Sequence, residues 1–94
     1  MVFCCIGPDP DPSLPSGCPL CKLEEYITHK IGLTPSEIEA DSPERFAIVE
    51  AEALRDLIVT TEVSGTDLAV VLSPTTLRNP ECARLVQYHC KLCQ

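Results

Sequence analysis

The sequence predicts a mainly α-helical single domain, and three observations carry that expectation. Apolar residues recur at spacings of three and four over most of the chain after residue 20, the period of a helix with one buried face. Thr34-Pro35, Ser42-Pro43, Ser73-Pro74 and Asn79-Pro80 each join a helix-capping side chain to a first-turn proline. A length of 94 residues supports one hydrophobic core. Only 4% of residues are aromatic, so that core must be built from Leu, Ile, Val and Ala.

Taken in chain order, Val2 to Ile6 form a short apolar tip. Residues 7–17 then hold four prolines and two glycines, which forbids helix and removes strand donors. This reads as a polyproline-like connector, dividing a tip and connector (1–17) from a domain body (18–94). From Cys21 to Ile31, Leu20, Leu23, Ile27 and Ile31 make one face of an amphipathic helix, with Lys22, Glu25 and His29 on the other. Gly32 supplies its left-handed end. Thr34-Pro35-Ser36-Glu37 is a capping box that opens a short helix to about Ala40. Ser42 caps the longest helix, expected from Pro43 to at least Leu57 along Phe46, Val49, Ala53 and Leu57.

Residues 58–72 are open between two readings. Ile58 to Val63 are mostly β-branched, Ser64 to Asp67 are turn formers and Leu68 to Leu72 are an apolar run, which together describe one short β-hairpin. The alternative continues the helix to Thr61 and makes 68–72 a buried helical turn. A short helix near 74–78 and a final helix from Pro80 to about Cys93 complete the expectation, the last burying Cys82, Leu85, Val86, His89, Cys90 and Cys93.

A formal charge of -7, with Lys and Arg scattered singly, opposes binding to nucleic acid or to an anionic membrane. The first eight residues lack the basic region and apolar length of a secretory leader, and no run reaches the length of a membrane span. An intracellular, reducing compartment is therefore expected, where regularly spaced cysteines serve metals or redox chemistry more often than disulfides.

Seven cysteines are a heavy load for this length. Cys18-Pro19-Leu20-Cys21 and Cys90-Lys91-Leu92-Cys93 are two Cys-x-x-Cys pairs, and four thiolates match the tetrahedral demand of zinc. The expected metal ligands are Cys18, Cys21, Cys90 and Cys93. One structural Zn2+ would then staple the first helix to the last. Cys82 and Cys90, eight residues apart on one predicted helix, would sit about 12 Å apart and cannot share an ion. Cys82 is expected as a small buried side chain. His29 falls on the wet face. His89 is open between a core histidine and a supporting partner of the metal site, and Cys4 and Cys5 between passive docking, acylation and metal binding.

Cys18-Pro19-Leu20-Cys21 ahead of an amphipathic helix resembles the active-site turn of thioredoxin and glutaredoxin proteins. The resemblance implies Cys18 as nucleophile and Cys21 as resolving thiol, activated by the helix N-terminus. It departs from that family where a buried strand should enter the motif, since the proline connector stands there instead. No Gly-rich phosphate loop or Gly-x-Ser-x-Gly turn is present. The expected function is a small acidic zinc-binding module for protein-protein interaction or regulation, resembling viral or regulatory accessory factors, with a basic or apolar protein partner. The alternative is a thiol-disulfide oxidoreductase using Cys18 and Cys21.

Overall fold

A computed structural model describes residues 1–6 and 18–93, so the proline connector expected at 7–17 lies outside the described residues. The described elements are β1 (Val2–Ile6), β2 (Leu20–Lys22), α1 (Leu23–Ile31), α2 (Pro35–Asp41), α3 (Pro43–Ser64), β3 (Leu68–Leu72), a 3-10 turn at Thr76–Arg78, α4 (Pro80–His89) and β4 (Cys90–Cys93). The mainly helical expectation is met in part. Four helices pack on a four-stranded sheet, among the described residues, in the order β2-β3-β1-β4. Every strand pair is parallel.

The helix boundaries follow from local chemistry. The Thr34 side chain accepts from the Glu37 backbone N–H at 3.3 Å, and the Glu37 carboxylate accepts from the Thr34 N–H, closing the capping box. Ser42 accepts from the Arg45 N–H at 3.3 Å, and Pro43 occupies the first turn of α3. Gly32 and Gly65 end α1 and α3 in the left-handed region, at φ 86° and 68°.

Of the two readings left open for 58–72, the hairpin does not form. Residues 58–63 continue α3, because Leu54, Ile58 and Thr61 extend its buried stripe at helical spacing. The Thr61 hydroxyl donates to the Leu57 carbonyl at 2.7 Å, an internal hydrogen bond open to Thr inside a helix. Burial outweighs the strand preference of β-branched residues. Residues 68–72 form a strand rather than a helical turn, paired with β1 on one side and β2 on the other. The last helix is also shorter than expected: it stops at His89, and Cys90 is extended at φ -125°, ψ 157°. Pairing 90–93 with β1 satisfies backbone groups that β1 would otherwise leave open on that side.

Both crossovers, β2 to β3 and β3 to β4, step across the sheet in the same direction, so right-handed connections put α1 to α4 on one face. The core lies in that layer. Val2, Cys4, Val70 and Leu72 meet Leu23, Ile27, Ile38, Ala53, Leu54, Ile58, Cys82 and Val86. The residues Val2 to Ile6, expected as a separate tip, are instead a strand flanked by β3 and β4. The uninterrupted apolar runs of β1 and β3 fit strands covered on both faces, and Cys5, Ala69 and Val71 on the side away from the helices are buried too. No helix among the described residues is long and apolar enough to cross a membrane.

Candidate functional site

The two Cys-x-x-Cys pairs fall on opposite edges of the sheet. Cys21 lies in β2 and Cys90 and Cys93 in β4, with β3 and β1 between them. At about 4.8 Å per strand, those edges are about 14 Å apart, whereas two thiolates on one zinc lie within about 4 Å of each other. The Pro19 carbonyl accepts from the Ala69 N–H at 2.8 Å, which holds the first segment against β3. The backbone thus sets Cys21 and Cys90 on opposite sheet edges. Among the described residues, no group of three or more His, Cys, Asp or Glu side chains is placed to hold a metal ion.

The thioredoxin-like reading meets a similar geometry. Cys21 ends in a strand and α1 starts only at Leu23, so the motif does not sit on a helix N-terminus. The Cys18 and Cys21 thiols donate weakly to the Pro19 and Lys22 carbonyls, at 3.7 and 3.8 Å. Desolvation holds both above the ordinary thiol value, with Asp67 adding to Cys18 and Glu25 to Cys21. A helix terminus would have lowered them.

Different thiols come together. Cys90 stands opposite Val2 in the β1–β4 ladder, which puts Cys4, two residues further along β1, on the same face. The neighbouring Cys4 side chain lowers the Cys90 thiol, while burial and Glu62 raise it. Cys4 is fully buried and Cys90 half-buried. The five-residue apolar run Val-Phe-Cys-Cys-Ile was the available clue to a buried strand here.

Cys82 is buried as expected, and it belongs to a polar anchor around Glu50 of α3. The Glu50 carboxylate accepts from Thr76 Oγ1 and Asn79 Nδ2 at 3.3 Å each and from Cys82 Sγ at 3.8 Å. Asn79 Nδ2 also donates to the Ala47 carbonyl at 2.8 Å. Burial raises the Glu50 carboxyl, and burial with the nearby carboxylate pushes Cys82 up to about 12. Every buried polar side-chain atom among the described residues has a partner, so this cluster fastens the loop after β3 to α3.

The outer side of α3 and α4 carries an open groove. A groove of about 450 Å³ runs between them, floored by Ala47, Ile48, Ala51 and Leu85 and edged by Glu52, Glu81, Arg55 and His89. On α3, Ile48, Glu52, Arg55, Val59 and Val63 fall at i, i+4, i+7, i+11 and i+15, hence on one face. Its apolar members are solvent-exposed, Ile48 at 60% and Val63 at 82%, and Tyr88 on α4 is exposed at 70%. His89, expected to face the core, instead sits at this rim with Nδ1 at 3.6 Å from Glu62 Oε1. Compared with protein families, curated proteins and solved structures, the chain matches none.

Proposed function

We propose that the protein is a small interaction module whose α3–α4 groove receives an amphipathic helix, flanked by basic residues, from a partner protein. The observation that carries this reading is the exposed apolar stripe of Ile48, Val59 and Val63 on α3, together with exposed Tyr88 on α4, the two helices that form the groove. Exposed apolar surface with a polar rim marks sites of association, and a groove between helices suits an apolar helix face. Charge selects the partner. The groove edge carries two carboxylates, Glu52 and Glu81, against the guanidinium of Arg55, on a chain whose formal charge is -7. A basic flank on the incoming helix gains attraction and a faster encounter, and an acidic one is repelled.

The test is a nitrogen-15 NMR titration with a synthetic amphipathic helix of leucine and lysine, beside a leucine and glutamate counterpart. Shifts confined to α3 and α4, weakening as salt rises and lost in Ile48→Glu/Tyr88→Glu with helicity unchanged, support the reading. Shifts spread over the sheet, equal response to the acidic peptide, or self-association through this face in sedimentation each overturn it.

Zinc on Cys18, Cys21, Cys90 and Cys93 is a separate proposal carried from the spacing of the two pairs. One ion on all four would draw β2 and β4 out of the sheet, so zinc loading at one ion per chain would come with a measurable change of fold.

A further inference from the structure

We propose that the partner helix lies antiparallel to α3 and α4, with the basic residues of its last turn between Glu52 and Glu81 and a carboxylate of its first turn on Arg55. This rests on the groove reading above and adds a direction to it. The two helices that form the groove run the same way. At the start of α4, Asn79 Nδ2 donates to the Ala47 carbonyl of α3 at 2.8 Å and to Glu50 at 3.3 Å; at its end, His89 faces Glu62 at 3.6 Å. Their N-terminal ends therefore lie at the same end of the groove, and so do the partial positive charges of those ends. An incoming helix gains by setting its own negative C-terminal end there, which is the antiparallel arrangement.

The rim charges favour the same direction. Glu81 stands in the first turn of α4, just past the level of Ala47, and Glu52 comes one turn before Arg55 along α3, so both carboxylates precede the guanidinium along the groove. Nearby cations leave the carboxylates available. Arg84 meets Glu81 only in an exposed pair at 3.4 Å, which solvent screens, and Lys30 is paired with Asp56. Among the described residues Arg55 is in no ion pair. The floor from Ala47 to Arg55 is about 12 Å long, room for about two turns of helix. A helix with an acidic first turn and a basic last turn, the order that suits its own dipole, meets complementary charge at both ends only when it runs against α3.

The experiment uses the intact protein and a synthetic leucine-rich helix with glutamate in its first turn and lysine in its last, carrying an amide-linked nitroxide at one end or the other. A label on the peptide's C-terminal end should broaden the amides of 44–48 and 81–83 more than those of 59–63 and 88–89, and a label on its N-terminal end should reverse that order. Glu52→Lys/Arg55→Glu, with helicity unchanged, should weaken binding about tenfold. The broadening is read on the wild-type chain, so the direction does not depend on the variant folding. The opposite order of broadening, equal broadening from the two labels, or unchanged affinity of the folded variant overturns the direction while leaving the groove occupied. No shift in α3 or α4 from this peptide, or shifts there that grow with protein concentration alone and so assign the groove to a second copy, overturn the groove reading and the direction together.

Discussion

Glu50→Ala removes the acceptor on which the loop after β3 is hung, and its cost can be worked from the contacts. Thr76 Oγ1 and Asn79 Nδ2 each lose a partner at 3.3 Å, and Cys82 Sγ loses one at 3.8 Å. Asn79 keeps the Ala47 carbonyl, and Thr76 retains the Ser73 hydroxyl at 3.3 Å, so neither donor is wholly orphaned. Hydrogen bonds to a neutral acceptor, the form of the carboxyl that burial favours, contribute about 0.5 to 1.5 kcal/mol each, and relieved burial of the carboxyl offsets part of that. A net loss of about 2 kcal/mol follows, or about 8 to 16 °C in melting temperature for a domain of this size.

The same group sets a pH signature. The folded-state pKa of Glu50 is raised by burial above the unfolded reference of 4.5. Its contribution to stability is therefore full below that value and is lost as pH rises through the folded pKa, because the native state holds the proton more tightly. The melting-temperature gap between wild type and Glu50→Ala should be widest below pH 4.5 and narrow on going to pH 8. Thermal denaturation followed by circular dichroism across that range reads both effects. A gap below about 2 °C throughout, or one that widens as pH increases, refutes the account of this anchor.

Two further outcomes test the frame around it. Gly65→Ala should cost about 1 to 2 kcal/mol by urea denaturation: Gly65 sits at φ 68°, and a Cβ there would meet nothing within 4 Å, so the whole penalty is conformational. Zinc added to metal-free protein should leave the backbone amide resonances of β2 and β4 unchanged while the sheet persists, whereas one tightly held ion per chain with loss of both edge strands would identify a four-thiolate form.

The helices were legible because their ends are written in local chemistry. Thr34 with Glu37, Ser42 with Pro43 and Asn79 with Pro80 act within a few residues of themselves, and a reader of the chain sees all the partners at once. The sheet was not, because its strands are three to five residues long and pair only across distance. Val-Phe-Cys-Cys-Ile and Cys-Lys-Leu-Cys are too short to declare a period, and nothing beside them announces the partner strand. The β-branched run at 58–63 gave a true local preference that packing along Leu54, Ile58 and Thr61 overrode. The placement of the two Cys-x-x-Cys segments on opposite sheet edges was no more legible, because it is set by pairing with β3 and β1 across the chain.

The place of β1 in the sheet has a consequence for assembly. Its first residue, Val2, aligns with Leu68 on one flank and Cys90 on the other, so β1 is made well before both strands that it pairs with. Such nonlocal pairing gives a high contact order and slows the search, since a long loop must close before any ladder contact repays it. α1 to α3 emerge after β1 and can dock locally, while β1 waits for β3 and β4 to follow. During that interval its apolar side chains and unpaired backbone are open to non-native contacts.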